Sequence, residues 1–184
     1  MKHSLIFNTG KWFVVGTLML LISITTITHV SAAALTDADV ASLTFMREEE
    51  KLARDVYIFL YSIWGSTIFD NISNSEQTHM DAIKTLLDRY GIADPASKVT
   101  GVFNNTDLQS LYNTLTAQGS LSLIDALEVG ALIEETDIDD LAVEISSTSL
   151  RDIKRVYSNL MQGSMNHLEA FISNLAMLGV TYEQ

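Results

Sequence analysis

Glu76 and His79 stand three residues apart in Ser75-Glu76-Gln77-Thr78-His79-Met80. On a helix that spacing puts a carboxylate and an imidazole on one face, a donor pair that suits a first-row divalent metal. Glu50, Glu134 and His167 occupy comparable settings. Each interrupts a series of apolar residues that advances by threes and fours, the spacing of an inward-facing helix stripe. The four series are Leu43, Met46, Glu50, Ala53, Tyr57; Phe69, Ile72, Glu76, His79, Ile83; Leu127, Ala131, Glu134, Ile138, Leu141; and Leu160, Ser164, His167, Phe171. A buried carboxylate without a partner costs several kcal/mol, and three at one depth repel one another. A divalent cation, or a pair, removes both penalties. The two neutral imidazoles complete a donor set suited to iron, manganese or zinc. There is no cysteine, which excludes thiolate zinc sites, iron–sulfur clusters, disulfides and cysteine nucleophiles.

Plainer readings compete at each position. Shifting the first stripe by one residue turns Phe45, Glu49, Leu52 and Val56 inward in place of Glu50, and Glu135 competes with Glu134 in the same way. A lone histidine in a core is usually satisfied by a backbone carbonyl. Tyr57 and Tyr157 read as core aromatics, and Met46, Met161, Met165 and Met177 as packing residues. Glu48, Asp139, Asp140 and Glu169 read as solvated charges. No segment resembles the strained nucleophile turn of a serine hydrolase.

The elements that must position these groups are long helices, since one proline and nine glycines leave few breaks. Thr36 caps the first, with Asp37 and Asp39 in its opening turn, and Gly65-Ser66 ends it. A second begins near Thr67 and stops at Gly91. Ile92 to Gly119, with the only proline, Pro95, and Asn104-Asn105, reads as a crossover holding a short helix over about Asp107 to Gln118. The third long helix starts near Ser120. Ser146-Ser147-Thr148-Ser149 forms a turn, and the fourth ends at Gly179. Short loop, long crossover, short loop predicts an all-α, ferritin-like four-helix bundle over residues 35–180.

Residues 1–33 read as an address. Lys2 and Lys11 precede an apolar run that continues to about Val30, and Ser31-Ala32-Ala33-Ala34 follows; this is the pattern of a signal peptide. The length of the run also fits an uncleaved membrane anchor. Either way the expectation is an exported domain, periplasmic, extracellular or anchored facing outward. The formal net charge is −12, with every acidic residue after the export segment. Such a surface argues against nucleic acid as a partner, and against membrane contact unless the first segment is retained.

The chain resembles the ferritin-like superfamily and, within it, the DUF2202 domain family, over about Leu35 to Leu178. The carriers are Arg47-Glu48-Glu49-Glu50-Lys51-Leu52-Ala53-Arg54-Asp55-Val56-Tyr57, Ser75 to Met80, Ala126 to Ile138 and Gly163-Ser164-Met165-Asn166-His167-Leu168. Glu50 with Ala53 and Tyr57 also resembles the first ligand helix of rubrerythrins. The resemblance implies Glu50, Glu76, His79, Glu134 and His167 as metal ligands. It departs on the last helix, where Ser164 stands in place of the glutamate of a second Glu-x-x-His. Glu128, Glu135 or Glu49 are the candidates to make up the loss. The implied function is a di-iron or di-manganese carboxylate oxidoreductase acting on dioxygen or peroxide, with zinc as a further option for the metal. Two other functions fit the same residues: an exported metal-binding protein without turnover, and a helical interaction module with a relic site. A homodimer is compatible with any of the three.

Overall fold

The computed structural model describes residues 34–183; the expected signal segment, residues 1–33, lies outside the described residues. Among the described residues there are five helices and no strand: α1 (Asp37–Trp64), α2 (Thr67–Tyr90), α3 (Thr106–Gly119), α4 (Leu123–Ser147) and α5 (Arg151–Met177). None of the described helices is long and apolar enough to cross a membrane.

The boundaries follow from local chemistry. Thr36 and Asp39 form a reciprocal capping box at the start of α1, satisfying two otherwise unpaired donors. Gly65 and Gly91 end α1 and α2 in the left-handed conformation, at φ 61° and 68°, which glycine adopts without a Cβ clash. The start of α4 differs from the sequence expectation. Ser122, not Ser120, accepts from the Asp125 N–H, while the Ser120 hydroxyl bonds back to Thr116 O at 2.6 Å and closes α3. Ser146 and Ser147 are the last residues of α4 rather than a turn, and Thr148 makes the break by accepting from Leu150 N.

Helix α1 packs along α2, and α4 along α5; α1 also meets α4, and α2 meets α5, so the four long helices form a closed ring of neighbours. Their directions follow from side-chain pairs. Ser42 bonds Tyr157 at 2.9 Å near the starts of α1 and α5, and Tyr57 packs against Phe171 near their ends, so these two run the same way. Arg89 and Tyr90, at the end of α2, bond Asp152 at the start of α5, so α2 runs opposite to α5. Short links reverse the chain at Gly65 and at Thr148. Consequently α2 and α4 are parallel, and a long return is unavoidable between them. Helix α3 fills part of that return and packs on α1 and α4.

Two apolar clusters occupy the interior. One gathers Ala53, Tyr57, Phe69, Ile72, Ala131 and Phe171; the other gathers Met46, Leu43, Ile83, Leu141, Tyr157 and Leu160. Every long helix contributes to both, and the ionisable interruption in each stripe falls between them. Met46 and Met161 sit with the core, but Met165 is 43% and Met177 75% exposed, because each falls on the outward side of α5 and packs little.

Candidate metal centre

Between the two clusters the structure brings together Glu50 from α1, Glu76 and His79 from α2, Glu134 from α4 and His167 from α5. Glu50, Glu76 and Glu134 are at most 2% exposed. They divide into two sets of three in which one donor atom from each residue lies within 4.8 Å of the others: Glu50, Glu76, His79, and Glu76, Glu134, His167. Glu76 belongs to both. Its Oε2 lies 2.9 Å from His79 Nδ1, and its Oε1 lies 2.8 Å from His167 Nδ1. His79 Nδ1 is also 3.1 Å from Glu50 Oε2, and His167 Nδ1 is 3.4 Å from Glu134 Oε2. The imidazoles stack with centroids 5.5 Å apart.

Two of the donors are held from behind. Tyr57 donates to Glu134 Oε1 at 2.7 Å. His167 Nε2 meets Ser75 Oγ at 2.9 Å; in the neutral ring, a proton on Nε2 would leave the Nδ1 lone pair facing the carboxylates, the kind of support that orients metal-binding histidines. Gly163 lets α5 approach His79 closely: a Cβ there would meet His79 Nε2 at 2.5 Å.

Several buried polar atoms nevertheless have no hydrogen-bond partner: Glu50 Oε1, Glu76 Oε1 and His167 Nδ1. The last two are 2.8 Å apart, at ion-pair distance when His167 is protonated, while Glu50 Oε1 is left with no partner. Buried polar groups are rarely left this way, and a cation lying between these carboxylates and imidazoles would partner them.

The electrostatics carry the same tension. Burial, then the charges of Asp137 and Glu76, hold the Glu50 carboxyl well above its ordinary range. Burial and the Glu76 charge raise Glu134 to about 8. Burial also acts to raise Glu76, but the adjoining imidazoles of His167 and His79 outweigh it and bring it to about 2. Burial acts to lower His167, and Glu134 and Glu76 outweigh that, lifting it to about 10. Glu76 is thus the carboxylate kept charged, between groups that compete for protons.

Asp137 is the residue that sequence reasoning missed. It is 6% exposed and accepts from Ser164 Oγ at 2.5 Å through Oδ2, while Oδ1 has no partner. Burial raises its carboxyl to about 7 even though Ser164 acts to lower it. The signal was available: Asp137 follows Glu134 by three residues, the spacing of Glu76 and His79. A carboxylate absent from α5 at Ser164 is thus matched by one on α4 that leans against that serine. Glu128 and Glu135 are only partly buried, and Glu135 accepts from Tyr182 at 2.9 Å, away from the cluster. Glu49 is partly buried, with an unpartnered Oε2, and is in neither set of three.

Nor is Glu48 a solvated charge, and its charged neighbours Arg47 and Lys51 are buried with it. Glu48 is 3% exposed and accepts from Asn104 N and Asn105 N at 2.7 and 3.1 Å. Arg47 forms a forked pair with Asp94 at 2.9 and 3.0 Å. Lys51, fully buried, pairs with Asp55, donates to Val99 O and lies 4.2 Å from the Phe103 ring centre. These side chains bind the crossover to α1. Asp139 and Glu169 are exposed, as expected of solvated charges.

Comparison with known proteins agrees with this architecture. Residues 39–184 match a family described as an uncharacterized protein domain, DUF2202. The chain is 50% identical over 149 residues to the uncharacterized protein MJ0754 of Methanocaldococcus jannaschii, covering 80% of each chain. The crystal structure of that hypothetical protein, at 50% identity, superposes with a TM-score of 0.80 over 82% of this chain and 86% of the other.

Proposed function

This chain belongs to the DUF2202 family, and we propose that it is a ferritin-like four-helix bundle whose core holds a dinuclear metal centre with oxidoreductase activity toward peroxide or dioxygen. One observation carries the reading: Glu76 offers one oxygen to each of two three-residue donor sets, the arrangement of a carboxylate shared by two cations. The parallel α2 and α4, joined by a long crossover, support the ferritin-like connectivity.

Glu50, Glu76 and His79 would hold one ion, and Glu76, Glu134 and His167 the other. Iron or manganese fits this nitrogen-and-oxygen donor set, and bound there it would supply one-electron redox change and open positions for a small oxidant. The protein's own contribution is to exclude water around Glu50, Glu76 and Glu134, to hold Glu134 through the Tyr57 hydroxyl, and to aim His167 through Ser75. Ser164 and Asp137 set a polar edge beside the site.

The test is metal content. Full-length protein is loaded aerobically with iron or manganese, desalted and assayed for metal per chain, with a Glu76→Ala/His79→Ala variant in parallel. About two ions in the parent and a clear loss in the variant are expected, together with faster peroxide or dioxygen consumption by the loaded parent than by the metal-free form. Two ions without consumption would leave a binding protein without turnover. No bound metal in a protein of intact helicity would sink the proposal.

A further inference from the structure

On the far side of Glu49 and Asp137 lies a cavity of about 190 Å³ between α1, α3 and α4. Its walls are Leu52 and Ala53 of α1, Leu111 and Leu115 of α3, and Leu132 and Ile133 of α4. Apart from Thr136, its polar groups are the carboxyls of Glu49 and Asp137, and each has a buried oxygen without a hydrogen-bond partner, Glu49 Oε2 and Asp137 Oδ1. Asp137 is more than nine-tenths buried. Its other oxygen accepts from Ser164, one turn before His167, so this residue borders both the cavity and the candidate metal centre. Glu49 precedes Glu50, and consecutive helix positions diverge by about 100°: one glutamate joins the donor cluster while its neighbour lines the cavity.

We propose that this cavity is the organic-substrate pocket of the metal centre and takes a compact, uncharged apolar molecule bearing one hydroxyl group. The word substrate rests on the function proposed above; the binding does not. Size sets the scale, since an apolar cavity of about 150 Å³ in another protein accepts benzene. The walls reward apolar surface, at about 25 cal/mol per Å² removed from water. The lone oxygens at the inner end need a donor, and a hydroxyl supplies one without bringing a charge into apolar surroundings, which would carry a large desolvation penalty. An anion would meet two carboxyl groups and no cation. The crossover anchors fit this role, because α3 forms one wall and is fixed to α1 through the bonds of Glu48, Arg47 and Lys51 to the chain before it.

The test is a ligand-observed NMR titration of metal-free, full-length protein with benzene, phenol and benzylammonium. Phenol is expected to bind about tenfold tighter than benzene, the scale of one net hydrogen bond. Leu111 is 41% exposed, so Leu111→Trp is expected to fold and to weaken both ligands at least tenfold. Asp137→Leu is expected to keep benzene and bring phenol down to its level. Absence of saturable phenol binding, phenol binding indifferent to Leu111→Trp, or tighter binding of benzylammonium than phenol would each overturn the proposal. Because metal content is assayed separately, a protein that takes up two ions but no phenol loses only this pocket, and one that binds phenol but no metal keeps the pocket and loses the centre.

Discussion

Gly163 shows how a single hydrogen atom can govern the candidate metal centre. In an ordinary helix interior, alanine is better than glycine by about 1 kcal/mol, so Gly163→Ala would be expected to stabilise α5. Here the new methyl would stand 2.5 Å from His79 Nε2, and the imidazole tip is the part free to move. The ring must swing, carrying Nδ1 away from Glu50 and Glu76. The expected outcome is a protein whose thermal midpoint changes little while bound metal falls, most in the set that contains His79. Metal analysis beside a thermal melt separates the two effects; full metal content in Gly163→Ala would show that His79 is not a ligand. Ser164→Ala works through the neighbouring group. It removes the one hydrogen bond to Asp137, leaving a buried carboxyl with neither oxygen paired, and a loss of about 1–3 kcal/mol is expected in chemical denaturation. A change below a few tenths of a kcal/mol would mean that Asp137 finds water or a cation instead.

Among the elements, α3 depends on a side chain more than fifty positions earlier. Glu48 accepts the N–H groups of Asn104 and Asn105, just ahead of the first turn of α3, which Asn105 itself caps. Glu48→Ala strips both donors of their partner. Hydrogen exchange is expected to show faster exchange at Asn104, Asn105 and the start of α3, with α2 and α5 protected as before; unchanged protection at α3 would refute the anchoring role. This is also where the sequence was hardest to read. The stripes were legible because helix geometry repeats locally, and spacing alone brought out Glu50, Glu76, His79, Glu134 and His167 as residues now found side by side. Burial favours Glu50 over Glu49 and Glu134 over Glu135, the members of the stripes as drawn, although steps of three and four fit either neighbour. Glu48, Arg47 and Lys51 were illegible because their partners, Asn104, Asp94 and Val99, are chosen by where the crossover lands, and no local period encodes that. Asp137 failed for a different reason. Its spacing from Glu134 was visible, but its significance depends on Ser164 arriving from another helix.

At the scale of the whole molecule, the buried acids set a pH dependence opposite to that of an ordinary acidic protein. Glu134 rises from 4.5 to about 8, Asp137 from 3.8 to about 7 and His167 from 6.5 to about 10. A group whose folded value is raised contributes stability fully present below its unfolded value and lost as pH climbs through the folded one. All three therefore weaken the metal-free protein as pH rises from about 5 toward 10. Glu76, lowered to about 2, acts the other way, as do Asp39, Asp94 and Asp152, held low by net hydrogen bonding against the opposing effect of burial; their contribution is present above their unfolded values and disappears in acid. Metal-free protein is thus expected to be most stable near pH 5, with a melting temperature that falls steadily toward pH 9. Cations bound at the candidate centre would reverse the trend, because they would take the ligands in their deprotonated forms and release protons on binding, and binding to the folded state alone adds stability. Melts at pH 5, 7 and 9, with and without manganese, would expose the crossing: little effect of metal at the acid end and the largest rise at the alkaline end. A metal-free melting temperature that climbs from pH 5 to 9, or a manganese effect indifferent to pH, would mean that the protons on this cluster and the cation do not compete for the same atoms.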